Sequence, residues 1–144
     1  MQLRPMARSD LGDCRLLLSQ LGYDMTTAEL ERRFDEVSSA PEHSLVLAEA
    51  AGRMVGLMHV FARPALENPR EAVVQAIVVD EAYRRCGIGR YLMTAAEKWG
   101  TERGCRSVVL SSNTVRAPAH AFYVALGYRI SATSLVLRKE LAQR

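Results

Sequence analysis

The sequence predicts a mixed α/β domain built around one central sheet. Three observations carry that prediction. Two segments near the N-terminus repeat their apolar residues at helical spacing. The middle of the chain switches to short apolar runs bounded by Gly and Pro. A helical pattern then alternates with further strand-like runs, so helices and strands belong to one layered unit. With 144 residues, 49% of them apolar and 24% charged, the chain reads as a single domain, 1–144, with one sizeable core.

Each element has its own signal. Met1 to Met6 reads as a short edge strand, limited by Pro5. Ser9-Asp10 offers an N-cap, and Leu11, Cys14, Leu17, Leu18 and Leu21 follow at helical spacing up to Gly22. Thr26-x-x-Glu29 is a capping-box pattern. It opens a second helix with Leu30, Phe34 and Val37 on one stripe, and Pro41 lies beyond its end. SLVLAEA (44–50) and RMVGLMHVFAR (53–63) flank Ala51-Gly52 and read as a β-hairpin.

Pro64 to Pro69 is a loop, and AVVQAIVVD (72–80) is a buried strand interrupted once, by Gln75. Ile88, Tyr91, Leu92, Ala95, Ala96 and Trp99 then recur at helical spacing to about Arg103, with Gly104 as the stop. RSVVLSS (106–112) is another strand. Pro118 suits the first turn of a helix through AHAFYVAL, which stops at Gly127. The tail YRISATSLVLRKEL reads as one or two terminal strands.

Composition narrows the function classes. A net charge of +3 and 6% aromatics allow an anionic ligand but do not describe a nucleic-acid binder. The three cysteines, Cys14, Cys86 and Cys105, form no CxxC pair, so neither a disulfide framework nor a metal site is expected. MQLRPMARSD lacks the apolar core of a signal peptide, and no run approaches the ~20 apolar residues that cross a bilayer. No membrane partner is expected, and a reducing cytoplasm is the default compartment.

Between the fourth strand and its following helix lies YRRCGIGR, Tyr83 to Arg90. The first turn of a helix carries backbone N–H groups without intrahelical partners, and the helix dipole adds positive charge there. Gly87 and Gly89 let those groups approach a ligand closely, while Arg84, Arg85 and Arg90 supply charge. A pyrophosphate matches such a nest. The alternative is an ordinary strand-to-helix connection with solvated arginines. The dinucleotide fingerprint fits poorly, because its third glycine position is Leu92. The P-loop pattern fails, because Gly89 precedes Arg90-Tyr91 rather than Lys-Ser/Thr.

Arg84-x-x-Gly87-x-Gly89 resembles the R/Q-x-x-G-x-G/A signature of the GCN5-related N-acetyltransferases, the GNAT superfamily. AHAFYVALGY (119–128) is similar to the second signature of that family, matching at Ala119, Phe122, Tyr123, Leu126, Gly127 and Tyr128. The element order matches over nearly the full length. The resemblance implies a mostly antiparallel central sheet flanked by helices, with a splay between strands 4 and 5. It implies acetyl-CoA as co-substrate, with a primary amine as acceptor.

By the same resemblance, the N–H groups of Arg85, Cys86, Gly87, Ile88, Gly89 and Arg90 hold the coenzyme A pyrophosphate, beside Arg84. The pantetheine arm pairs with the backbone near Ile77, Val78 and Val79 as an added strand would. Asn113, Ala119 and Phe122 stand on the cofactor side. Asn113 also reads as a turn residue with a local backbone bond, and Phe122 as a core aromatic.

Direct attack of a neutral amine on the thioester sets three tasks: deprotonating the amine, stabilising an oxyanion, and protonating the leaving thiolate. Tyr123 matches the general-acid tyrosine of the family; a phenol of ordinary pKa near 10 stays protonated at neutral pH. The competing reading is a core aromatic. Where many relatives carry a glutamate in the fourth strand, this chain has Gln75. An amide accepts no proton but can orient an amine or a water. His59 and Glu71 are the other substrate-side candidates, against plain readings as a strand histidine and a solvated charge; a water chain to bulk is a further route. Cys86 sits with the phosphates rather than at the acetyl end.

The acceptor side corresponds to roughly Leu21–Pro41 and Phe61–Arg70. It mixes Asp24, Glu29, Asp35 and Glu67 with Arg32, Arg33, Arg63 and Arg70, and so favours no substrate class. The expectation is an N-acetyltransferase acting on a small-molecule or protein amine. A non-catalytic acyl-CoA-binding regulatory module is the alternative. Relatives often dimerise through late strands, and the apolar stretch SLVLRKEL suits a homodimer of that kind.

Overall fold

The computed structural model describes residues 1–112 and 117–143. The chain forms two compact units, Met1–Ser111 and Ser112–Arg144. In the first unit the order is β1 (Gln2–Pro5), α1 (Leu11–Gln20), α2 (Thr27–Ser39), β2 (His43–Ala50), β3 (Arg53–Arg63), β4 (Glu71–Val79), α3 (Ile88–Glu102) and β5 (Ser107–Val109). One five-stranded sheet runs β1-β2-β3-β4-β5. The first three pairings are antiparallel and β4–β5 is parallel.

Local sequence explains most of these boundaries. The capping box closes as expected: the Glu29 N–H donates to Thr26 Oγ1 at 3.1 Å, and the Thr26 N–H donates to Glu29 Oε1 at 3.0 Å. The β2–β3 hairpin turns on Ala51 (φ 51°) and Gly52 (φ 75°), the two positive φ angles of a primed turn.

The start of α1 differs from expectation. Asp10 occupies the N-cap but makes no side-chain cap bond. Its carboxylate accepts instead from the Ala7 N–H at 2.7 Å and from both terminal nitrogens of Arg4 at 2.9 Å. A 3-10 turn over Arg8–Asp10 precedes the helix and aims the side chain back at β1. Arg4 also donates to Glu49 on β2 at 2.7 Å, so this network ties β1, β2 and α1 together. Its guanidinium holds the Asp10 carboxyl below the usual carboxylate range.

Alternation sorts the sheet into two faces. Met6, Leu11, Cys14, Leu17, Leu30, Leu47, Leu57 and Val78 form one buried cluster, on the α1/α2 side. Burial there pushes the Cys14 thiol up to about 11. On the other face α3 buries Ile88, Leu92, Met93, Ala96 and Gly100. The buried stripe is therefore rotated from the expected one: Met93 is inside, and Tyr91 is 50% exposed.

Two glycines set how closely α3 approaches the sheet. A Cβ at Gly56 would lie 3.2 Å from Ile88 Cγ2 and 3.3 Å from Leu92 Cδ1; one at Gly100 would lie 3.0 Å from Ala72 Cβ. Gly100→Val is expected to destabilise the protein by about 1–3 kcal/mol through overpacking. Thermal unfolding checks this, and an unchanged midpoint would count against such close packing of α3 on β4.

The second unit holds α4 (Ala117–Ala125), with Pro118 in its first turn as expected. The terminal strands read from the tail are not found: no strand is assigned between Tyr128 and Gln143. Ile130, Leu135, Val136, Leu137 and Leu141 are 74–88% exposed. The described part of this unit contains no strand, and an extended segment forms a strand only with a ladder partner.

Candidate active site

The site is built first from an interrupted sheet edge. β4 pairs with β5 only at Glu71–Ser107, Ala72–Val108 and Val73–Val109. Beyond Val73 the strand continues to Val79 with no ladder partner on that side among the described residues. This is the expected splay between the fourth and fifth strands. It leaves a row of backbone groups, including those of Ile77, Val78 and Val79, open to an extended ligand.

The register of β3 and β4 slips between His59 and Val60, because His59 faces Ala76 while Val60 faces Val74. Gln75 is the extra residue, and it is exposed. The polar interruption read from the sequence is thus a β-bulge, which re-aims the neighbouring backbone at the opened edge.

Next comes the loop. Asp80 Oδ1 accepts from the Ala82 N–H at 3.0 Å and starts a 3-10 turn over Glu81–Tyr83. Gln20 Oε1 accepts from the Glu81 N–H at 2.9 Å, anchoring the turn to the end of α1. The chain then passes through two left-handed residues, Arg85 (φ 67°) and Gly87 (φ 82°). Gly87 is the N-cap of α3 and supplies no side-chain cap; the first turn carries no acidic residue.

The N–H groups of that first turn therefore face outward beside Arg84, Arg85 and Arg90, all exposed. Arg84 Nε reaches back to the Val79 carbonyl at 3.4 Å. Cys86 is exposed on the loop, and Ile88 is buried beneath it. An anion is the ligand this end can hold.

A third group stands on the α1/α2 face. His59 lies two residues beyond core Leu57 on β3, and its ring meets His43 of β2: His43 Nδ1 and His59 Nε2 are 2.9 Å apart. Phe61 stacks on His43 with centroids 4.9 Å apart and planes at 11°. Burial first, and His43 second, push the His59 pKa down to about 4. At neutral pH His59 is therefore an uncharged imidazole.

Glu71 is elsewhere. It pairs in register with Arg63, four residues along β3 from His59, or about 13 Å at the usual strand rise. Arg63 donates to it at 3.2 Å and Ser107 Oγ at 3.4 Å. His59 and the Gln75 bulge are brought together, and Glu71 is not.

In the second unit, Tyr123 lies on α4 with its ring edge-on to Phe122 (5.1 Å, 69°) and to Tyr128 (6.1 Å, 72°). The Leu126 and Tyr128 N–H groups both donate to the Tyr123 carbonyl at 3.0 Å, closing the helix. Phe122 is 36% exposed rather than a core residue, and Ala119 is half-buried. Asn113 lies outside the described residues.

Residues 13–128 match the family model of the GNAT acetyltransferases. The chain belongs to this family. Two curated relatives are named for different amine substrates. The chain is 29% identical over 139 residues to a glucosamine 6-phosphate N-acetyltransferase of Trypanosoma brucei brucei, covering 90% of this chain and 89% of the relative. It is 24% identical over 143 residues to an aminoglycoside N(6')-acetyltransferase type 1 of Salmonella typhimurium, covering 96% and 99%. Among solved structures, aminoglycoside N-acetyltransferase AAC(6')-Iy in complex with CoA superposes with a TM-score of 0.86 at 22% identity, covering 97% of this chain and 95% of that one.

This GNAT chain is an N-acetyltransferase. Its residues suit coenzyme A on structural grounds. The uncapped α3 N-terminus and its arginines fit a pyrophosphate, and the open β4 edge fits an amide-bearing arm. Two residues beside the candidate site carry no strong signal in the sequence. Gly56 lets α3 come down on β3 and so fixes the position of the loop; a lone glycine inside a strand is a signal for such an approach. His43 meets His59 across two strands, and no local pattern announces that contact.

Proposed function

We propose that the chain is one catalytic domain that transfers an acetyl group from acetyl-CoA to the primary amine of a small amino sugar. The observation that carries this reading is the uncapped, arginine-flanked α3 N-terminus beside the opened β4 edge. In this reading the N–H groups of Arg85 to Arg90 grip the pyrophosphate, with Arg84 adding charge. The backbone of Ile77 to Val79 pairs with the arm, and an N–H there polarises the thioester carbonyl.

Acetyl-CoA supplies an acyl group with a good thiolate leaving group. Tyr123 donates the proton that the thiolate takes up, while Ala119, Phe122 and Asn113 belong to the cofactor side. The acceptor amine approaches from the α1/α2 face, where Gln75 and His59 are the groups that can orient it. Glu71 is held by Arg63 and acts on the acceptor only as part of that ion pair. Amino sugars are favoured because the two relatives above are named for glucosamine 6-phosphate and for aminoglycosides.

The proposal includes a homodimer, supported by the exposed apolar residues of the tail, and a reducing cytoplasm, in keeping with three free cysteines. No helix among the described residues is long and apolar enough to cross a membrane.

The test is release of coenzyme A thiol from acetyl-CoA over a panel of glucosamine 6-phosphate, glucosamine, an aminoglycoside and a lysine peptide. Amine-dependent release with an amino sugar is expected to exceed that with the peptide by at least tenfold in kcat/KM. Binding of acetyl-CoA without release on any amine would instead favour the non-catalytic module, for which the exposed amide Gln75, a side chain that accepts no proton, is the supporting observation.

A further inference from the structure

We propose that His59 and His43 form a two-imidazole proton relay, which carries the proton of the acceptor amine across the sheet from the β4 edge to solvent at β2. The inference rests on the reading above that the amine arrives on the α1/α2 face of β4. It adds the route by which the amine becomes a nucleophile.

Position comes first. His59 is in register with Ala76, the residue after the Gln75 bulge. Adjacent strands are about 4.8 Å apart, so one strand separates His59 from the opened edge. The residue on that strand is alanine, which places only a methyl group between the imidazole and the edge. A valine or leucine there would wall it off. His43 lies one strand further away, at the start of β2, and is half-buried. His43 is in register with Phe61 rather than with His59, so the two rings step diagonally from β4 toward β2.

Connectivity comes second. His59 Nε2 is bonded to His43 Nδ1 at 2.9 Å, which leaves Nδ1 of His59 and Nε2 of His43 as the outer nitrogens. Phe61 stacked on His43 fixes the plane of that ring. In the tautomer with a proton on each Nε2, His59 Nδ1 carries a lone pair and His59 Nε2–H donates to His43 Nδ1. The amine N–H bond breaks and its proton bonds to His59 Nδ1. The Nε2 proton of His59 passes to His43 Nδ1, and the Nε2 proton of His43 passes to water. One proton enters, one leaves, and each ring ends neutral. Tautomer exchange with water resets the pair.

The environment selects a relay over a simple base. His59 is too weakly basic to retain a proton, since burial and its neighbour hold its pKa near 4. Passing the proton on within the same step avoids charging a half-buried imidazole, which desolvation disfavours. The charged groups around the pair are already matched: Arg63 with Glu71, four residues along β3 from His59, and Arg70 with Glu42, the residue before His43.

The test uses the full chain and the best amine of the panel. His59→Gln and His43→Gln are each expected to lower kcat by ~10²-fold with KM for acetyl-CoA within twofold. The double variant is expected to be no slower than the slower single, because both remove one path. On the native chain, a proton inventory in mixed light and heavy water at saturating substrates is expected to bow, as several protons in flight require. Singles that keep kcat within twofold, losses that multiply in the double, or a linear inventory would each overturn the relay while leaving the acetyltransferase reading intact. Absence of thiol release by the native chain on every amine would sink both.

Discussion

Tyr123→Phe is expected to lower kcat by ~10²–10⁴-fold, the usual worth of a positioned proton donor, while acetyl-CoA affinity stays within about threefold. The ring contacts explain why the variant isolates the hydroxyl. Tyr123 packs edge-on against Phe122 and Tyr128, and a phenylalanine ring keeps both contacts. The Leu126 and Tyr128 N–H bonds to its carbonyl are made by backbone and survive any side-chain change. Thermal unfolding of the variant checks that the fold is kept, so that a lost rate belongs to the proton. Single-turnover thiol release with saturating acetyl-CoA separates this from slow product release. Full turnover by the variant on the best amine would remove Tyr123 from the chemistry and leave it as a packing residue of α4.

Arg84→Glu is expected to raise the dissociation constant of acetyl-CoA by ~10–100-fold, with kcat at saturation and the order of amine preference unchanged. The charge-assisted contacts of an exposed arginine with a phosphate are worth on the order of 1.5–3 kcal/mol, and reversal adds repulsion. Arg84 precedes the left-handed Arg85, and its Nε only grazes the Val79 carbonyl at 3.4 Å, so its guanidinium is not committed to the fold. Calorimetric titration of acetyl-CoA at two salt concentrations measures the effect, which should shrink as salt rises. Normal affinity with an altered amine profile would mean that Arg84 faces the acceptor instead.

Much of the fold was legible because its signals are local. Thr26 and Glu29 announce a helix start within four residues, and that box forms bond for bond. Ala51-Gly52 between two apolar runs announces the hairpin. The glycines after an apolar strand marked the α3 N-terminus, since uncapped N–H groups are a property of any helix start.

What stayed hidden depends on contacts far apart in sequence. Asp10 turned from capping α1 to bonding Arg4, because Arg4 arrives from β1 already paired with Glu49. The Gln75 bulge was visible as one polar residue in an apolar strand, yet only the register against β3 shows its extra residue. His43 and His59 are 16 positions apart, and only the register of β2 on β3 brings them together. The tail's apolar stretch reads as strand, but an apolar stretch cannot by itself supply the neighbouring ladder.

Arg85 is held at φ 67°, where a glycine would sit without penalty and an arginine costs roughly 1–2 kcal/mol. The chain thus spends stability on keeping a charged side chain at a bend that only this backbone shape allows. On the proposed reading, a loop built that way meets the pyrophosphate already folded. The free protein carries the cost of order in advance, so capture of the anion should be fast and nearly rigid, and the unliganded protein should be the less heat-resistant state.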